Sequence, residues 1–215
     1  MSYKKESKYF QLVYTKKDNE YIDELFSYVE KESKNITLFF GLESFEEKVS
    51  IKLFDDLNSF RDACSEVKGG AKVPLWLCGL SFRKNGKNHI YSLCLDEYKK
   101  TDGHNNCSLE NFKQLITHEF VHACHRTYTN IKLPIWLGEG LATFLSHQYD
   151  GSELLFNATL EQIIKGGANY INYYTMFSYA LNKYGKYYVL KLLNDEKYLE
   201  DETKKLYDEV EKIYK

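Results

Sequence analysis

The chain has 215 residues, 43% of them hydrophobic, 28% charged and 16% aromatic, enough for a packed core and inconsistent with a disordered, collagenous or coiled-coil protein. At roughly 150 residues per domain this is one domain or two tightly joined lobes. The formal net charge of −2, from 29 basic and 31 acidic residues, gives no electrostatic case for nucleic acid or an anionic membrane as partner.

The five cysteines, Cys64, Cys78, Cys94, Cys107 and Cys124, are odd in number and show no C-x-x-C spacing. That argues against a disulfide framework and against a cysteine-based structural zinc site. The amino terminus carries charge but no apolar stretch, so no secretory signal is visible,. No run of about 18 apolar residues is present, so no membrane span is expected. A cytoplasmic protein is the expectation.

Tyr21, Ile22, Leu25, Phe26 and Val29 recur at helical spacing and predict an amphipathic helix from Asn19 to about Ser33,. Ile36–Phe40 reads as a strand, and Val49–Phe54 alternates as a half-buried strand should,. Asp55–Ala63 predicts a short helix capped by Asp55 or Asp56,. After Gly69-Gly70, Pro74–Ser81 and His89–Leu95 read as two strands, joined across the Lys84-Asn-Gly-Lys-Asn88 turn as a hairpin,. The remainder predicts helices near 109–128, 135–148, 153–165, 171–184, 186–194 and 201–214. Strands followed by helices, without regular alternation, predict an α+β fold. It would be one domain, with a small mixed or antiparallel sheet and flanking helices in 1–107 and an all-helical lobe in 108–215.

The chemistry lies in His118-Glu119-Phe-Val-His122, an H-E-x-x-H inside the 109–128 helix, with Ser108 available as its N-cap,. Residues four apart share a helix face within about 6 Å, so two imidazoles can converge on one ion at about 2.1 Å each. Glu119 lies one residue further round, within reach of a water at that ion. Two histidines cannot close the site. His125 is a poor third ligand, since seven residues carry it about 10 Å along the axis. Glu139 is the better candidate. It sits in an apolar segment, Leu133-Pro-Ile-Trp-Leu-Gly-Glu139-Gly-Leu-Ala, where a carboxylate is costly to bury unless metal-bound or paired with Arg126 or a lysine.

His118-Glu119-x-x-His122 followed by Trp136-Leu-Gly-Glu139-Gly-Leu-Ala resembles the gluzincin zinc peptidases, and within them the small peptidase MA-like proteins most closely. Val49–Arg61 and Tyr173–Gly185 are similar to flanking segments of that family, so the resemblance spans roughly residues 20–195. It implies a zincin-like fold, one zinc ion on His118, His122 and Glu139, and Glu119 as general base in hydrolysis of a peptide or protein substrate. It further implies an oxyanion donor on a downstream helix, for which Tyr173 and Tyr174 are the candidates and His147 a weaker one. The resemblance places the Ile90–Leu95 strand at the sheet edge, where it would pair with extended substrate. The Gly-x-Met-x-Asn segment of the aminopeptidase branch has no counterpart, which favours an endopeptidase-like cleft. An aspartate that orients the first histidine in thermolysin is replaced by Thr143. The alternatives are a catalytically silent zincin-fold binding or regulatory module and a gluzincin acting on a non-peptide substrate.

Overall fold

The structure, a computed structural model, describes residues 1–43, 45 and 47–215. The chain divides into two units, Met1–Cys124 and His125–Lys215. Mixed α+β architecture is present as expected, with a five-stranded sheet in the first unit and a helical second unit. No helix among the described residues is long and apolar enough to cross a membrane.

The strands of the first unit are β1 (Ser2–Glu6), β2 (Phe10–Thr15), β3 (Val49–Phe54), β4 (Gly79–Lys84) and β5 (Lys87–Leu93), arranged β1-β2-β3-β5-β4. β2, β3 and β5 run parallel, and β1 and β4 are antiparallel at the two ends. Parallel neighbours need crossover helices, supplied by α1 (Ile22–Phe40) between β2 and β3 and by α2 (Leu57–Val67) between β3 and β5. Register sets Phe10 opposite Val49, Leu12 opposite Ile51, and Ile51 opposite Ile90. All of these side chains are buried. Asp56 caps α2 by accepting from the Ser59 amide at 2.7 Å, as its position in the sequence suggests. A four-residue α3 (Leu95–Tyr98) and then α4 (Leu109–Tyr128) complete the unit's elements, the unit boundary falling in the last turns of α4. The aromatic side chains join the layers: Phe10 meets Phe26 of α1 and Phe120 of α4 with ring centroids 5.3 and 6.4 Å apart.

Three expectations for this unit are corrected. Ile36–Phe40 is the end of α1, not a strand. Leu25, Val29, Ile36 and Phe40 are all buried at helical spacing, and Thr37 returns its hydroxyl to the Ser33 carbonyl at 2.8 Å. The helix stops at Gly41, whose φ of 68° closes a left-handed cap,. Pro74–Cys78 is not strand either: Leu77 donates to the Pro74 carbonyl in a turn, and β4 starts only at Gly79. Finally, the Ile90–Leu95 region lies inside the sheet, because β5 pairs with both β3 and β4. The end strand is β4, which pairs with no second strand among the described residues. The hairpin joining β4 to β5 is as predicted, with positive φ at Asn85 and Gly86,. β1 and β2 went unpredicted.

The second unit contains α5 (Ile135–Leu145), α6 (Leu160–Lys165), α7 (Tyr170–Leu192) and α8 (Glu196–Tyr214). α7 breaks at Gly185 (φ 81°, ψ 173°), where the sequence suggests two helices. The 153–165 helix shortens to α6, because side chains of α7 take the backbone bonds of the preceding segment. Asn172 accepts from the Asn157 and Ala158 amides at 2.8 and 3.1 Å, and Thr175 bonds both the amide and the carbonyl of Leu155. α8 begins earlier than expected, with Asp195 capping at the Tyr198 amide.

α5 and α7 pack closely at Gly140. A Cβ there would lie 2.6 Å from the Tyr173 carbonyl oxygen and 2.8 Å from the Phe177 Cβ, whereas one at Gly138 would meet nothing within 4 Å. Two glycines of one helix therefore predict opposite outcomes in urea denaturation. Gly140→Ala should destabilise by about 1–3 kcal/mol through overpacking. Gly138→Ala should stabilise by about 0.5–1 kcal/mol through helix propensity.

Candidate metal centre

α4 begins as the sequence indicates. Ser108 accepts from the Asn111 amide at 3.2 Å, and the Asn111 side chain accepts from the Ser108 amide at 2.9 Å. The helix buries Phe112, Ile116, Phe120, Val121 and Ala123, and with them Lys113, Thr117, His118 and Glu119. Each inward polar group needs a partner. Lys113 finds Glu24 at 2.6 Å and Glu110 at 3.1 Å, and Thr117 donates to the Lys113 carbonyl at 3.0 Å.

One helical turn brings His118 and His122 together, with their Nε2 atoms 3.1 Å apart and the rings inclined at 79°. Glu139 comes from α5. Pro134 precedes the helix in extended conformation, and its carbonyl accepts the Leu137 and Gly138 amides, starting the turn that carries Glu139. The His118, His122 and Glu139 ligand atoms all lie within 4.8 Å of one another. Two nitrogens bound tetrahedrally at about 2.1 Å would stand about 3.4 Å apart, close to the spacing seen. A donor set of two imidazoles and one carboxylate suits a borderline divalent cation. His125 is not part of this group.

Glu119 follows His118 and is 8% exposed. Its carboxylate lies against the first residue of β4: a Cβ on Gly79 would stand 3.0 Å from Glu119 Oε1, 3.1 Å from its Cγ and 3.2 Å from Leu115 Cδ1. Gly79 is thus a site residue that sequence reasoning missed. Its one signal was a glycine inside an apolar strand pattern, which marks close approach of a neighbour. Cys64 of α2 is fully buried. Burial pushes its thiol up to about 12. It therefore stays neutral at physiological pH.

The tyrosines point to different neighbours. The Tyr173 hydroxyl accepts from the Ala168 amide at 3.2 Å and donates to the Gln162 carbonyl at 3.5 Å. Burial, with Glu139 contributing, raises its pKa above the usual tyrosine value. Tyr174 turns its hydroxyl to Asp150 at 3.5 Å and lays its ring against Phe144. His147 is exposed, sits at positive φ and bonds Asp150 through Nδ1 at 2.7 Å. Thr143 spends its hydroxyl proton within α5, on the Glu139 and Gly140 carbonyls at 2.7 and 3.1 Å. It braces the helix that carries Glu139.

Tyr173→Phe strips the Ala168 amide of its acceptor and should cost about 1 kcal/mol in chemical denaturation. Tyr174→Phe removes only a long contact and should cost under about 0.5 kcal/mol.

No protein-family model and no curated protein matches the sequence.

Proposed function

We propose that the chain is a zinc-dependent peptide-bond hydrolase of zincin-like fold and endopeptidase type, with His118, His122 and Glu139 holding one zinc ion. The observation that supports this most is the meeting of those three ligand atoms within 4.8 Å, with a second carboxylate, Glu119, on the residue next to His118. A zinc ion held there supplies Lewis acidity, lowering the pKa of water towards about 7 and drawing charge from a substrate carbonyl.

The protein's own groups move the proton. Glu119 takes one from the attacking water as its oxygen bonds to the scissile carbonyl carbon. The carbon–nitrogen bond then breaks, Glu119 returns that proton to the departing amine, and the other product is a carboxylic acid. One water is consumed per bond. Gly79 keeps the Glu119 carboxylate in place by offering no side chain against it. Charge gathering on the carbonyl oxygen calls for a donor from the protein. Tyr173 and Tyr174 are the candidates for it, and to serve each would give up its present hydroxyl partner, the Gln162 carbonyl or Asp150. Extended substrate would pair with the outer edge of β4 rather than β5, since only β4 ends the sheet at the Glu119 side,.

Glu119→Gln separates catalysis from a silent binding module on the same scaffold. It should retain one equivalent of zinc by metal analysis and lose peptide hydrolysis by about 10²–10⁴-fold; unchanged hydrolysis would exclude Glu119 as the base. Glu139→Ala should weaken zinc binding more than the roughly 10–100-fold typical of supporting residues, read by chelator competition. Unaltered affinity there would remove Glu139 from the ligand set. Gly79→Ala should keep zinc yet lower kcat at least tenfold, because the new methyl displaces the Glu119 carboxylate.

A further inference from the structure

Leu75 and Trp76 are 58% and 60% exposed, side by side. Single exposed apolar residues are ordinary, whereas adjacent large ones mark a contact surface. Here they occupy the two central positions of the Pro74–Leu77 turn, closed by the Leu77 amide on the Pro74 carbonyl at 3.2 Å. The turn is also held from beneath. The Arg61 guanidinium donates to the Leu75 carbonyl at 3.5 Å, and the Cys78 thiol donates to the Trp76 carbonyl at 3.4 Å. A backbone tied down in this way presents both side chains outward in a defined place.

That place is the mouth of β4. The Leu93 amide bonds the Cys78 carbonyl at 3.0 Å, and Gly79 is paired with Ser92. By the alternation of an antiparallel ladder, Cys78 and Leu80 turn their backbone groups towards β5 and Gly79 turns its own away. A peptide strand laid on this edge therefore meets Gly79 beside the Glu119 carboxylate, and the turn that carries Leu75 and Trp76 leads directly into the same end of β4.

We propose that Leu75 and Trp76 form an apolar subsite that selects peptides carrying a large aliphatic or aromatic side chain at one fixed position to one side of the bond cleaved. This rests on the hydrolase reading and names the substrate class for it.

The chain supplies its own probe. Of its two tryptophans, Trp136 is fully buried and Trp76 is exposed, so changes in fluorescence and in acrylamide quenching on binding report on Trp76. The ligands are end-blocked nonapeptides of Ser, Thr and Ala with one Phe or Leu at each successive position, and an all-polar control. With zinc-loaded Glu119→Gln, an apolar peptide should shift the emission to the blue and cut quenching, and the control should do neither. Leu75→Ser should weaken that binding about tenfold. With the active protein, kcat/KM should favour Phe or Leu at one position by about tenfold, and Leu75→Ser/Trp76→Ser should bring the ratio to about one. Cleavage with neither spectral shift nor positional preference overturns the subsite and leaves the hydrolase standing. A spectral shift with no cleavage by the zinc-loaded wild type overturns the hydrolase and leaves an apolar peptide-binding surface. If neither occurs, both are overturned.

Discussion

Helix α4 takes an imidazole and a carboxylate out of water on successive residues, beside Ile116, Phe120 and Val121. Polar groups buried in that way cost free energy unless their surroundings supply partners. The neighbouring elements answer that cost. His122 brings a second nitrogen one turn away, α5 brings the Glu139 carboxylate to the pair, and the sheet makes room for Glu119. Gly79, against which the Glu119 carboxylate lies, is paired across the strands with Ser92. Ser92 satisfies itself by donating to the Cys78 and Leu93 carbonyls. A side chain at Gly79 would press on the carboxylate.

Much of this was legible in the sequence because it is written in local periodicity. The limits of α4, its serine cap, the spacing of its histidines, the start of α5 after Pro134 and the Asn85-Gly86 hairpin all follow from neighbours within a few residues. What was illegible depends on contacts distant in sequence. Ile36–Phe40 is rich in β-branched and aromatic residues, so its local preference is for strand; the helix wins because Ile36 and Phe40 extend the buried stripe of Leu25 and Val29. Residues 153–159 have helical composition, yet Asn172 and Thr175, from a helix later in the chain, take their backbone bonds. Which hairpin strand ends the sheet depends on β3 pairing with β5, and no pattern within either strand encodes that choice.

The glycines of α5 show how one residue type can answer two problems. Gly140 lets the Tyr173 backbone approach closer than any side chain would permit, while Gly138 faces open space. Thr143 adds hydrogen bonds to the Glu139 and Gly140 carbonyls one turn back, bracing a segment that two glycines would otherwise loosen. The acid is thereby carried on a stiffened turn, although its flanking residues have the weakest helix propensity apart from proline.

An unpaired sheet edge invites association, and proteins guard it with charge. β4 is guarded over only part of its length. Arg83 and Lys84 occupy its far end, Lys84 pairs with Glu66 at 3.5 Å, and Lys87 across the hairpin pairs with Glu47. Gly79, Leu80 and Ser81, the half beside Glu119, carry no charge at all. If a peptide strand binds as proposed, the charged end of this edge would disfavour it and the uncharged end beside Glu119 would accept it. On the proposed hydrolase reading, the placing of Arg83 and Lys84 at one end of a six-residue strand would do for substrate placement what the turn would do for side-chain choice.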